Sequence, residues 1–370
     1  MKKICFVTAA RSEYGLLKWI MKDIDADKDF QLQLIVTGGH LLQSQGHTID
    51  TIIDDGFDID ATVNSNLAIS SPAKIASSMG RMAELFAPVF EKLSPDLLFV
   101  LGDRYELLPI CNTAFVMRIP IAHISGGDIT EGAIDDGIRN AVTMLATYHF
   151  PGTSDSAKNI ERMRNSSKNI WAVGEPGLDA FTRTKMMSRK ELAENLSLDE
   201  SKKWVLMTYH AETNESLEYN LSAVKNCINV LKTHNDIQTI MTYANADFGG
   251  EEINKVLIQT AKENNLFRVI PSLGQIRYLS YMKQVSFVIG NSSSGIVEAP
   301  SLKIPVINIG NRQKGRYLCK NIIQTSAKQN DICKSIYLAK TFNKSIDDYN
   351  YWGDGNTTGK IIGVLHTLWK

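Results

Sequence analysis

Val285-Ser286-Phe287-Val288-Ile289 runs into Gly290-Asn291-Ser292-Ser293-Ser294-Gly295; a helical pattern carrying Glu298 follows, and Ile304-Pro305-Val306-Ile307-Asn308-Ile309 opens a second apolar run. An apolar run, a Gly/Ser turn, a helix and another apolar run read as a strand–turn–helix–strand unit of a parallel sheet. The turn also suits a diphosphate. Glycines let the backbone approach a ligand closely, and the serines place hydroxyls and free N–H groups at a helix N-terminus, where the macrodipole favours an anion. Glu298, about one turn on, is placed to accept hydrogen bonds from ribose hydroxyls. Arg312 and Arg316 follow the second strand, and planar guanidinium groups suit phosphate oxygens. A Ser-Ser-Ser-Gly run alone is an ordinary turn and cap. With an acidic residue and paired arginines at these spacings, a nucleotide sugar is the expected ligand.

The same alternation extends in both directions. Ile4-Cys5-Phe6-Val7 precedes a helical pattern over 13–23, and Leu32-Gln33-Leu34-Ile35-Val36 precedes one expected over 40–55. Leu97 to Leu101 and Ile119 to Ile124 follow, each with a helix after it. A second series comprises Trp204-Val205-Leu206-Met207, the run 237–241, Phe267-Arg268-Val269-Ile270, and the two strands around the serine turn. Near-continuous apolar runs suit strands covered on both faces. The expected fold is α/β, with two doubly wound Rossmann-like domains facing across a cleft and ligands at the carboxyl ends of the strands. Val173-Gly174-Glu175-Pro176-Gly177 interrupts the pattern, which places the boundary between a domain at 1–174 and a second at 175–353.

Composition agrees with a globular chain of two domains. The 370 residues carry 40 basic and 40 acidic side chains and are 44% hydrophobic, enough for two full cores. The neutral balance argues against a nucleic-acid partner, and no run approaches the roughly 20 apolar residues of a membrane helix. A cytoplasmic protein is expected. Cys5, Cys111, Cys227, Cys319 and Cys333 are widely spaced without a C-x-x-C pair, which predicts free thiols and no structural metal.

The first half supplies acids. Leu97 to Leu101 ends in Gly102-Asp103-Arg104-Tyr105-Glu106, and the next strand ends in His123-Ile124-Ser125-Gly126-Gly127-Asp128, followed by Glu131 and Asp135-Asp136-Gly137-Ile138-Arg139. Like charges gathered at one edge drive some pKa values upward, so that one group is protonated while another is ionised, as general acid–base work requires. Asp103, Asp128 and Asp135 are the candidates, and Glu131 reads as a solvated loop charge. Asp103 equally reads as a helix cap paired with Arg104. Basic complements are Arg11, directly after the first strand, and Arg139. His210, in Met207-Thr208-Tyr209-His210-Ala211-Glu212-Thr213, lies at a strand end and is a candidate; His123 is open between a site role and a buried one; the other histidines read as structural.

Taken together, Gly102-Asp103-Arg104, His123 with Gly126-Gly127-Asp128, Ile134-Asp135-Asp136 with Arg139, and the block from Gly290 through Glu298 to Asn311-Arg312-Gln313-Lys314-Gly315-Arg316 resemble the hydrolysing UDP-N-acetylglucosamine 2-epimerases, especially the bacterial sialic-acid-pathway branch. The resemblance implies a glycosyltransferase-B type of fold, a homodimer or homotetramer, and a final helix over 357–368 packing back on the first domain. It implies UDP contacts from Arg11, Arg104, Asn245, Ser292, Ser293, Glu298 and Arg312; Ser294, Arg139 and Arg316 join the expected binding set from their positions alone. Asp103 and Asp135 match catalytic acids and His210 a histidine at the diphosphate. Ser125 stands where many relatives have a glutamate, and Asp128 is the expected substitute.

The implied reaction needs no cofactor. C2–H of the sugar is not next to a carbonyl, so departure of UDP from C1 must run ahead of, or with, proton loss; donors at the diphosphate stabilise the leaving group. Elimination gives UDP and a 2-acetamidoglucal, and reprotonation at C2 with addition of water at C1 gives the 2-epimer, N-acetylmannosamine from UDP-N-acetylglucosamine. A UDP-2,4-diacetamido-2,4,6-trideoxy sugar is the alternative substrate. A glycosyltransferase and a non-catalytic UDP-sugar-binding regulator are the rival classes.

Overall fold

The computed structural model describes residues 1–43, 46–67, 71–131, 134–245, 247–343 and 345–369. Among them the chain forms two compact units: Met1–Ile129 with Ile134–Thr182 and Gly353–Lys370, and Arg183–Trp352 with Thr130–Ala133.

The first unit is built on β1 (Lys2–Thr8), β2 (Phe30–Thr37), β3 (Ala61–Val63), β4 (Leu97–Leu101), β5 (Ile121–Ile124) and β6 (Tyr148–Phe150), ordered β3-β2-β1-β4-β5-β6. All pairs are parallel. The second is built on β7 (Lys203–Thr208), β8 (Ile237–Thr242), β9 (Phe267–Ile270), β10 (Phe287–Gly290), β11 (Val306–Ile309) and β12 (Ile322–Thr325), ordered β12-β11-β10-β7-β8-β9 and again parallel. In each sheet the chain winds one way and then the other. The reversal falls between β1 and β4 in the first unit and between β7 and β10 in the second, and ligands bind at such switch points, beyond the carboxyl ends of the strands.

The apolar runs explain the cores. Phe6, Phe99 and Phe150 come from three strands and stack with ring centroids 4.9 and 5.7 Å apart, and Trp171 continues the stack. β3, β6 and β12, the outer strands of three or four residues, were not anticipated. The helix expected over 40–55 is instead a 3-10 turn, Gly38–Leu41, and a short helix, Ile49–Asp54; Gly46 and His47 between them both take positive φ and break the helical path.

The chain leaves the first unit after Thr182, past the boundary expected at 174/175, and returns at Gly353. Two acids hold the intervening stretch to the first unit. Glu175 accepts the Ser125 hydroxyl, and Asp179 accepts the backbone N–H groups of Thr357 and Thr358 at the start of the helix Thr357–Leu368.

Candidate active site

The first unit's switch point carries Arg11, the first residue of the helix Arg11–Asp25, and the turn after β4. Glu13 folds back onto the strand end, its Oε2 accepting the N–H groups of Ala9 and Ala10 at 2.7 and 3.1 Å. Burial nevertheless pushes its carboxyl up to about 8, with Arg104 pulling down and Glu106 adding to the rise. Arg104, expected at UDP, donates from Nε and a terminal nitrogen to the two oxygens of fully buried Glu106, each at 3.2 Å. Glu106, not Asp103, occupies the N-cap position of the next helix.

Asp103 is paired instead with Arg139. Arg139, expected among the substrate contacts, is fully buried; it also donates to the Asp128 carbonyl at 2.9 Å and lies 3.6 Å from the Asp136 carboxylate. Burial opposes its charge, yet the carboxylates of Asp103, Asp128 and Asp135 outweigh burial and hold the guanidinium above its usual value. The crowding of acids anticipated from sequence is thus answered by a cation in their midst, which braces them. Asp135 begins the helix Asp135–Leu145, whose fifth residue is Arg139, so one helix carries an acid and its counter-charge. Asp128 is buried, with Oδ1 accepting the Ser156 hydroxyl at 2.6 Å.

His123 has both ring nitrogens engaged within the first unit. It is fully buried, with Nε2 2.8 Å from the Gly102 carbonyl and Nδ1 3.1 Å from the Thr143 hydroxyl; burial lowers it to about 4. A neutral ring, donating from Nε2, anchors the turn that presents Asp103.

The second unit's switch point lies at Thr208 and Gly290. Gly290 has φ 137°, and a Cβ there would collide with the Thr208 carbonyl, so only glycine allows β10 to leave β7 this closely. Ser292 is the N-cap of the helix Ser293–Ser301, and Ser293 is exposed at its first position. The Ser294 hydroxyl bonds Tyr278 at 2.6 Å and Ser292 at 3.0 Å. Asn291, unremarked in the sequence, organises the edge: its side chain bonds the His210 N–H and carbonyl, and its own carbonyl accepts from Arg312 at 3.2 Å and Gln313 at 2.9 Å. The His210 Nδ1 accepts the Asn245 N–H at 3.1 Å, which leaves the proton of the neutral ring on Nε2, as a donor. Glu298 is buried, and desolvation lifts it to about 7 although Arg316 pulls it down.

Glu212 was also missed. It accepts the Asn311 N–H at 2.9 Å and the Tyr209 hydroxyl at 3.3 Å, and so ties the His210 loop to the Arg312 loop; burial raises its pKa. Its signal lay in its position two residues after a strand-end histidine. Glu131, read as solvated, is exposed but paired with Lys314 at 2.8 Å, and its N–H donates to the Lys314 carbonyl.

Two parallel α/β units with charged residues gathered around their switch points describe a nucleotide-sugar enzyme of glycosyltransferase-B type architecture. Residues 22–366 match the model of the UDP-N-acetylglucosamine 2-epimerase family, and the chain belongs to that family. It is 35% identical over 331 residues to a GDP/UDP-N,N'-diacetylbacillosamine 2-epimerase (hydrolyzing) of Campylobacter jejuni, covering 89% of this chain and 86% of the relative. It is 32% identical over 371 residues to the UDP-N,N'-diacetylbacillosamine 2-epimerase (hydrolyzing) of Legionella pneumophila, covering 100% and 96%. Its fold is similar to that of the Methanocaldococcus jannaschii UDP-GlcNAc 2-epimerase solved with UDP-GlcNAc and UDP, with a TM-score of 0.83 at 18% identity over 99% of both chains. The chain is therefore a nucleotide-sugar 2-epimerase of the hydrolysing group.

Proposed function

We propose that the protein hydrolyses and epimerises UDP-N,N'-diacetylbacillosamine, releasing UDP and the 2-epimer of the free 2,4-diacetamido sugar. The choice of sugar is supported by the names of the Campylobacter and Legionella relatives, at 35% and 32% identity. UDP-N-acetylglucosamine is the second reading, favoured by the family description.

The observation that carries the chemistry is the pairing of buried Arg139 with Asp103 at the carboxyl end of β4. A carboxylate fixed by a buried cation is preorganised for proton transfer without side-chain rearrangement. In this reading Asp103 and Asp135 transfer protons at C2, and Asp128 is the further carboxylate of the loop. Arg11, Asn245, Ser292, Ser293, Glu298 and Arg312 bind UDP, with the His210 Nε2–H donating to the diphosphate. As C1–O breaks, its electron pair leaves with UDP; the C2–H pair becomes the C1=C2 double bond of a glycal, which then takes a proton at C2 and hydroxide from water at C1.

The test is incubation of the purified protein with each sugar nucleotide in deuterated water. UDP release, with deuterium at C2 of the released sugar, is expected. A product retaining its original C2 hydrogen overturns the elimination mechanism, and sugar transfer to an added acceptor without hydrolysis favours a glycosyltransferase. Asp103→Asn is expected to keep UDP binding and to lose about 10²–10⁴-fold in rate.

A further inference from the structure

The stretch 173–177 reads as a linker, yet it delivers a buried carboxylate to the sheet edge that holds Asp103. The Val173 N–H donates to the Pro151 carbonyl at 3.0 Å, which lays the chain alongside the end of β6. Glu175, two residues on, is only 7% exposed, and its Oε2 accepts the Ser125 hydroxyl at 2.7 Å. Ser125 is the first residue past β5 and takes φ 58°, an uncommon conformation for a serine. β4 and β5 pair at Leu101 and Ile124, so Ser125 stands one step beyond that register, next to the Gly102-Asp103 turn. On the other side, Gly152 follows β6, and a Cβ there would collide with Glu175 Oε1. Three adjacent strand ends thus cooperate: one presents Asp103, the next orients Glu175 through Ser125, and the third leaves space for it.

We infer that Glu175, oriented by Ser125, is an acid–base residue of the epimerase reaction and supplies from another segment the carboxylate that many relatives carry at the position of Ser125. The inference rests on the function proposed above and transfers to Glu175 the role expected of Asp128, because Glu175 is the carboxylate bonded to Ser125 itself. In the elimination, the C2–H proton passes to a Glu175 oxygen and the C–H electron pair forms the C1=C2 bond while the C1–O pair leaves with UDP. Glu175 ends protonated and the sugar ends as the neutral glycal; water then adds, its hydroxide bonding to C1 while its proton is relayed by the Asp103 and Asp135 carboxylates to C2, and Glu175 releases its proton to solvent. A buried carboxylate suits this step, since removal from water strengthens its action on the developing charge.

The test uses the full chain with UDP-N,N'-diacetylbacillosamine and UDP-N-acetylglucosamine, reading UDP release, C2 deuterium incorporation, UDP affinity and melting temperature. Glu175→Gln, nearly isosteric and still able to accept from Ser125, is expected to melt normally and bind UDP within twofold of wild type. Its UDP release and C2 deuteration should fall together by about 10²–10⁴-fold. The exchanged pair, Ser125→Glu with Glu175→Ser, should recover at least tenfold over Glu175→Gln, which a purely structural glutamate would not predict. UDP release by Glu175→Gln within fivefold of wild type overturns the inference, and so does an exchanged pair no faster than Glu175→Gln. Should Glu175→Gln not fold, Ser125→Ala decides, with a wild-type rate overturning the inference and a loss of about tenfold supporting it. A wild-type protein that releases UDP from neither sugar overturns the functional reading and this inference with it; turnover by wild type alongside an unimpaired Glu175→Gln overturns this inference alone.

Discussion

At the residue scale, burial makes Glu298, proposed above to bind UDP, responsive to pH. In that role the ionised carboxylate accepts ribose hydroxyls more strongly than the neutral acid, and desolvation raises its pKa to about 7. UDP affinity is therefore expected to rise from pH 6 to pH 8 by up to about tenfold more in the wild type than in Glu298→Gln, which retains the contributions of UDP and of other groups. Isothermal titration at three pH values checks this; equal slopes in the two proteins would exclude Glu298 from the site. The sign for folding is opposite. An acid whose folded pKa lies above its unfolded value of 4.5 binds more protons when folded, so it subtracts stability as pH rises from 4.5 through about 7. Residue types and spacings made the places of Ser292 and Glu298 in a strand–turn–helix, and of Arg312 after the next strand, legible in the sequence. The partners of Arg104 and Arg139 were less legible, since a pairing such as Asp103 with Arg139 is made by tertiary packing and leaves no local pattern. Glu175 was hidden for the same reason: Pro176 and its flanking glycines mark an irregular stretch but do not tell which sheet it borders.

At the scale of elements, the longer parallel strands were readable because each carries a sustained apolar pattern, whereas the helix Thr357–Leu368 was expected only from the family resemblance. What fixes that helix in place was not. Its N-cap residue, Asn356, makes no side-chain cap; Asp179, fully buried, reaches across instead, and its two oxygens accept from Thr357 and Thr358 at 2.8 and 2.7 Å. A carboxylate at a helix N-terminus is favoured by the macrodipole as well as by the two hydrogen bonds. Asp179→Ala removes both acceptors and leaves two buried N–H groups without them, at a cost of about 2–4 kcal/mol. The melting temperature is expected to fall by roughly 5–10 °C. Amide exchange should accelerate across 357–368 before it does so in β1 or β4. Unchanged exchange in that helix would mean that apolar packing alone docks it.

At the scale of the molecule, the first unit is discontinuous in the chain: its last segment, Gly353–Lys370, arrives only after the whole second unit. That segment is part of the first core, since Ile361 and Leu365 are fully buried there, the ring of Trp369 packs on Phe30, and His366 bonds Asp27 at 2.8 Å. Each fully buried aliphatic side chain contributes about 1.5–3 kcal/mol, and the Asp179 cap adds to this. Losing the segment would therefore remove an amount comparable to the ~5–15 kcal/mol stability of a whole domain. The second unit is nearly self-contained, borrowing only Thr130–Ala133 from outside Arg183–Trp352. A fragment spanning Arg183–Trp352 is thus expected to fold cooperatively and to bind UDP, though more weakly than the intact chain. A fragment of residues 1–182 should lack a cooperative thermal transition and regain one when a peptide of residues 353–370 is added in excess, as mass action requires. Circular dichroism melts of the two fragments, with and without the peptide, make the comparison. A sharp transition for 1–182 alone would show that the C-terminal helix only decorates a core already complete, and that the first unit folds as soon as it is synthesised.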